Sequence, residues 1–318
     1  MSSRKGKEKS DGEEQETLPD RSMSGEVRIL SANTCGFDKE KWKNLQKMAD
    51  SNEVDVIFMQ ECASAPKVEE IVGEDWEVKV TQEKPAAAGI KRKRGNDEKE
   101  YKVTPNCGVG RFYATLKRRK IAKLQVETRL YLPADSEAVH DFIFGKESES
   151  GVGPSTQGVR RSSRTKQIPA ENLPNLGALG VRGPQCIEIS QTGFRPVTVF
   201  NYHAPQGGGS GGINQSGMDA PKGHQILQCV ARETRTPRLV IGDQNVDRSA
   251  MLDYYSDLEV VSAAYPERLV HAAGSRVLKV EQIDLGDAGE KFNNKGETGC
   301  SDHTPLGLKI FLPSDSGQ

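Results

Sequence analysis

Residues 54–61, VDVIFMQE, form a near-continuous apolar run, and a run of this kind fits a strand that is covered on both faces. The stretch before it completes a unit. EVRILSANTCGFD (26–38) reads as a short strand around Val27 and Ile29 that ends in a turn, and Asp38 is placed to cap the next helix. That helix, KEKWKNLQKMADS (39–51), sets Trp42, Leu45, Met48 and Ala49 on one face. The same strand, helix, strand grammar returns in RPVTVFNYHAP (195–205), APKGHQILQCVARETR (220–235) and RLVIGD (238–243), with Ile226, Leu227 and Val230 grouped on the helix. Between the two units, residues 108–133 alternate like a hairpin, and LVHAA, VLKVEQIDL and TPLGLKIFLP supply further strands. Mixed strands and helices with buried runs point to an α/β or α+β sandwich.

Residues 1–24 are charged and poor in large apolar side chains, a composition that cannot offset its ordering entropy by burial, so they read as a disordered tail. The ordered domain is expected over 25–313, with flexible insertions near 82–106 and 145–175 and a short tail at 314–318. The first residues contain no apolar core of a secretory signal, and no stretch approaches the roughly 18 apolar residues of a membrane span. The expectation is a chain without a membrane span, cytoplasmic or nuclear, or exported without such a signal. Cysteines are scattered without metal-type spacing, which favours reduced thiols. A net charge of −1 exerts no global pull on nucleic acid, so any basic surface must be local: Lys91–Arg94, Lys117–Lys120 with Lys123, and Arg160–Arg164 with Lys166. Such runs can track a phosphate backbone or remain solvated loops, and the first can serve as a nuclear-localisation signal.

Several strands end in side chains that bind metal or move protons. In chain order these are Asn33, Glu61, His203, Asp243 with Asn245, Asp284, and Asp302 with His303. Hard cations such as Mg²⁺ take one or two carboxylates, with water and substrate phosphate completing the shell, and Glu61 and Asp302 can supply them. Phosphodiester cleavage also needs a group that orients water, stabilisation of the phosphoryl oxygens and protonation of the leaving oxygen; Asp243, Asn245, His203 and His303 are of the right types. Each has a plainer reading. Asp-x-Asn after a strand makes a turn, Ser-Asp-His before Thr-Pro can be a capped loop, and a glutamate closing a strand is usually solvated. The joint pattern is what carries information.

Taken in order, NTCG (33–36), QE (60–61), NYHAP (201–205), GDQN (242–245), QID (282–284) and SDH (301–303) resemble the motifs of the endonuclease/exonuclease/phosphatase superfamily. The resemblance spans nearly the whole chain outside the first residues. It lies nearest the branch of deoxyribonuclease I and the cytolethal distending toxin B subunit, because NYHAP carries a histidine at that strand end. It implies an α+β fold, a four-layer α/β sandwich of two mixed β-sheets flanked by helices, with the site at one rim. It also implies a phosphodiesterase dependent on Mg²⁺, or Mn²⁺ in its place, with DNA as substrate. Glu61 would be the main metal ligand, helped by Asn33 and Asp302. Asp243 would orient water, Asn245 would hold a phosphoryl oxygen, and His303, oriented by Asp284, would act on the scissile phosphate while His203 assists the leaving group. Arg111 matches an arginine that contacts DNA phosphate. Gln244 stands where the family has an aromatic or aliphatic residue, Ala32 where it has tryptophan, and a second phosphate-binding arginine is not evident, which weighs on DNA affinity. Rival readings are a phosphoinositide phosphatase or sphingomyelinase-like enzyme and a catalytically silent binding module.

Overall fold

Both faces of β1 (Glu26–Asn33) are covered, and the pleat sorts its side chains between two cores. Val27 and Ile29 face a second sheet, whereas Leu30 and Ala32 pack under helices. The computed structural model describes residues 24–82, 112–130, 183–204, the helical residues 223, 224, 227, 228 and 231, and residues 234–262, 270–292 and 303–315. β2 (Val56–Cys62), the strand read from VDVIFMQE, lies parallel to β1 from Ile29 opposite Val56 to Asn33 opposite Gln60. α1 (Lys39–Ser51) makes the crossover: the Asp38 side chain accepts from the Lys41 N–H at 2.9 Å, and Trp42, Leu45, Met48 and Ala49 are buried together.

Two six-stranded mixed sheets result. The first runs β11 (Lys279–Ile283), β12 (Leu306–Phe311), β1, β2, β4 (Phe112–Arg118) and β3 (Trp76–Gln82). The second runs β5 (Leu124–Leu130), β6 (Gln185–Gln191), β7 (Val197–Asn201), β8 (Arg238–Asp243), β10 (Val270–Ser275) and β9 (Leu258–Ser262). Their inner faces share one core that includes Ile29, Phe58, Val199, Ile241 and Leu308. Outside the first sheet lie α1, α2 (Ala65–Val72) and Phe292 of α4 (Gly286–Phe292). Outside the second, Phe200 and Val240 pack with Leu227 and with Met251 of α3 (Arg248–Tyr254). This is the four-layer sandwich of two mixed sheets expected from the sequence. Ile226 and Val230, the other residues assigned to the second helical face, lie outside the described residues, as do most of both insertions.

One expected element does not form. Residues 112–130 are no hairpin: β4 pairs with β2 and β3, while β5 crosses to the second sheet and pairs with β6. Alternation reports which side chains are covered, not which strand is the neighbour, and the partner of β5 lies far along the chain. Two members of the basic run there are turned inward, while Arg119, Lys120 and Lys123 are exposed. Arg118 donates to Val54 O at 2.5 Å and to Asp50 at 2.6 Å and lies over the Trp76 ring, while Lys117 Nζ donates to Leu124 O at 3.1 Å.

Toward one rim the shared core turns polar without leaving its alternation. Ser31 and Asn33 continue the face of Val27 and Ile29, Gln60 that of Phe58, Asn201 that of Val199, and Asp243 that of Ile241. Gln60 Nε2 donates to Ser31 Oγ at 3.1 Å and to Asn201 Oδ1 at 2.5 Å. Asn201 Nδ2 donates to Gln185 Oε1 at 3.1 Å, which also accepts from the Thr115 hydroxyl at 2.9 Å. This seam ties the sheets together immediately beneath the strand ends.

Candidate functional site

Asp243 closes β8, buried at 1% exposure, where a carboxylate persists only with partners. Asn33 Nδ2, from the end of β1, donates to its Oδ2 at 2.8 Å, and the Asn245 N–H approaches Oδ1 at 3.3 Å. Two imidazoles flank the same oxygen: His203 Nε2 and His303 Nε2 each lie 3.5 Å from Asp243 Oδ2. His203 follows β7, and its N–H donates to the Tyr113 hydroxyl of β4 at 3.0 Å. His303 precedes β12. Residues from both sheets therefore meet on one carboxylate.

Gly242 permits this convergence. Its φ is +130°, and a Cβ there would stand 2.4 Å from the Tyr202 carbonyl, so no larger residue lets β8 pass so close to the end of β7. Past β7 the parallel pairing continues, with Tyr202 N–H donating to Ile241 O and Ala204 N–H to Asp243 O. At the other parallel pair, Thr34 and Gly36 N–H donate to Gln60 O and Glu61 O. The carboxyl ends of both parallel pairs thus open at the same rim.

Glu61 reaches the cluster by a break in regular pairing. The β2–β4 register shifts between Met59 and Cys62, and Glu61 adopts φ 49°. Its carboxylate, 28% exposed, lies 3.6 Å from His203 Nε2 and opens to solvent. Asn33 Oδ1 accepts the Cys35 N–H at 3.0 Å. Among the described residues no three His, Cys, Asp or Glu groups come together as metal ligands. Mg²⁺ needs only one or two carboxylates, so a partly exposed glutamate, with an asparagine at the neighbouring strand end, fits it in donor chemistry.

Asn245 has φ 50°, and its Nδ2 donates to Ala204 O at 2.7 Å. Asp284 follows β11 at the end where β12 begins; it is exposed, and its Oδ1 accepts from the Gly286 N–H at 2.8 Å, capping the turn into α4. Asp302 and Arg111 lie outside the described residues, as do the basic runs 91–94 and 160–166.

Three residues that hold the site drew no notice in the sequence. Lys41, at 7% exposure, spends its ammonium on the Thr34, Cys35 and Gly36 carbonyls at 2.8, 3.0 and 3.1 Å, fixing the turn after Asn33. His224 Nε2 lies 2.9 Å from Gln244 O, and His271 Nε2 lies 2.9 Å from Val246 O. Burial pushes His224 down to about 4, against the bond to Gln244, and burial likewise lowers His271 against its bond to Val246. Gln244 itself is wholly buried, and its side-chain amide has no hydrogen-bond partner among the described residues.

No protein-family model matches the chain, and no curated protein does. Solved structures do. An endonuclease/exonuclease/phosphatase from Bacteroides vulgatus aligns with a TM-score of 0.50 at 12% identity, over 90% of this chain and 99% of that one. A family protein of the same description from Bacteroides thetaiotaomicron gives 0.48 at 14% identity, over 90% and 97%. A humanized D. rerio TDP2 gives 0.46 at 13%, over 90% and 99%. Identities this low speak to the fold.

Proposed function

From the endonuclease/exonuclease/phosphatase fold that this chain shares, we propose a divalent-metal-dependent phosphodiesterase, a deoxyribonuclease I-like endonuclease acting on DNA. The observation that carries it is the Asp243 carboxylate with two imidazole Nε2 atoms 3.5 Å from one of its oxygens. A carboxylate so held can orient water and take its proton, and the histidines can hold a phosphoryl oxygen or protonate the departing one. Asn33 and the Asn245 N–H fix which lone pairs of Asp243 remain for water. Glu61 and Asn33, with Asp302, would hold Mg²⁺ or Mn²⁺. The cation, when bound, neutralises charge on the phosphoryl oxygens. Arg111 would contact DNA phosphate.

A second reading has an observation of its own. Lys117 and Arg118 are engaged inside the protein, which removes part of a backbone-tracking surface and favours a smaller phosphoester such as a phosphoinositide or sphingomyelin. Both are tested by incubating pure protein with supercoiled plasmid and with phosphoinositides, each with Mg²⁺ and with EDTA. The expected result is nicking abolished by EDTA and lowered about 10²- to 10⁴-fold in Asp243→Ala and His303→Ala, with circular dichroism unchanged. Wild-type nicking by both variants would sink the assignment. Phosphate release without nicking selects the second reading, and silence on every phosphoester selects a binding module.

A further inference from the structure

We propose that His224 is a positioning residue for this reaction, holding the Asp243 carboxylate through a single peptide unit. The inference rests on the phosphoesterase reading for its kinetic arm alone. A trans peptide points its carbonyl and its N–H to opposite sides. In the unit joining Gln244 to Asn245, the carbonyl meets His224 Nε2 at 2.9 Å and the N–H faces Asp243 Oδ1 at 3.3 Å. Rotation of that unit would release both ends at once.

The chemistry fixes the histidine's own state. A carbonyl only accepts, so Nε2 carries the proton, and Nδ1 is left to accept from the Tyr255 hydroxyl at 3.0 Å. The ring is held on three sides: it stacks on Tyr254 at 4.9 Å and 12°, and meets Tyr202 and Tyr255 edge-on. With its proton affinity lowered by burial, it stays neutral across the physiological range. Asn245 explains why such a hold is required. Its φ of 50° is a conformation that a peptide rotation relieves, and one peptide further on His271 holds the Val246 carbonyl. Ala204 O takes the Asn245 side chain. The backbone on both sides of Asn245 is therefore anchored by one histidine from the helix behind the second sheet and one from β10 within it.

The test compares His224→Leu, which leaves the Gln244 carbonyl without its donor, with His224→Gln, whose amide N–H can replace Nε2–H. The expected outcome is a fall in kcat of at least about tenfold in the leucine variant with KM little changed, and recovery of most of it in the glutamine variant. Alongside, ¹⁵N-histidine spectra of the wild type should show the Nε2–H tautomer at His224 between pH 6 and 8. The Asn245 amide should exchange faster in the leucine variant than in the glutamine one. Unchanged kcat in His224→Leu, equal losses in both variants, or an Nδ1–H tautomer would overturn the proposal. A wild type with no phosphoesterase activity would remove the function assigned above, and the tautomer and Asn245 exchange would still decide the clamp. Should His224→Leu fail to fold, the glutamine variant and the tautomer decide it.

Discussion

Glu61, beside His203, and Asn245, beside Asp243, stand with φ of 49° and 50°, in a region that costs a non-glycine residue about 1–3 kcal/mol. What the backbone achieves is aim: regular alternation would send Gln60 and Glu61 to opposite faces, yet Gln60 bonds Asn201 in the seam and Glu61 reaches His203. A paired substitution isolates this strain. Glu61→Ala and Glu61→Gly both remove the carboxylate and should both lose metal-dependent activity. In an ordinary strand the glycine variant would be the weaker of the two. Here it should be the more stable, by about 1 kcal/mol, because glycine accepts positive φ without cost. Thermal denaturation in the absence of metal reads the order directly, and alanine above glycine would refute strain at this position.

The elements that carry the site are held by bonds running back from helix to loop. Lys41 sits in the first turn of α1 and closes three carbonyls of the preceding turn, so the helix that covers β1 also sets the geometry at its end. Lys41→Met should cost about 3 kcal/mol, since buried carbonyls lose charge-assisted bonds, and chemical denaturation checks it. Lys41→Arg should not restore stability, because a planar fork cannot serve three convergent acceptors. Much of this architecture is legible in the amino-acid order. The run at 54–61, the capping Asp38 and the face of Trp42, Leu45, Met48 and Ala49 are local, and local pattern follows burial and capping. β3, β6 and β9, with the short helices α2, α3 and α4, drew no notice, because short elements give too few repeats to reveal a period. The sheet change between β4 and β5 is illegible for another reason: pairing is decided by distant partners. At the site, the strand-end residues of β1, β2, β7 and β8 were readable as chemistry, and the structure gathers Asn33, Glu61, His203, Asp243, Asn245 and His303. The histidines behind the 243–246 turn were not, since a histidine in a helix or a strand looks like any other until its carbonyl partner is known.

Two buried histidines tie the stability of the molecule to pH. Burial lowers the proton affinity of His224 to about 4 and also lowers that of His271, so the unfolded chain takes up protons first as pH falls. Their contribution is whole above about pH 6.5, the ordinary histidine value, declines as pH drops, and for His224 is gone near pH 4. At roughly 1.4 kcal/mol per pH unit, His224 alone accounts for about 3 kcal/mol across that window. Urea midpoints at pH 7 and pH 4.5 should therefore differ more in the wild type than in His224→Gln, and equal differences would contradict the linkage.

β12 occupies an interior place in the first sheet, between β11 and β1, and it is paired along its length with a strand from the far end of the described chain, Glu26 opposite Phe311. Until β12 docks, β1 presents an unpaired edge and Asp243 lacks His303 beside it. Closing the gap joins residues nearly the whole chain apart, the kind of contact that forms late and slowly. The seam between β1 and β12 is therefore expected among the last parts of the sheet to close, and with it the approach of His303 to Asp243.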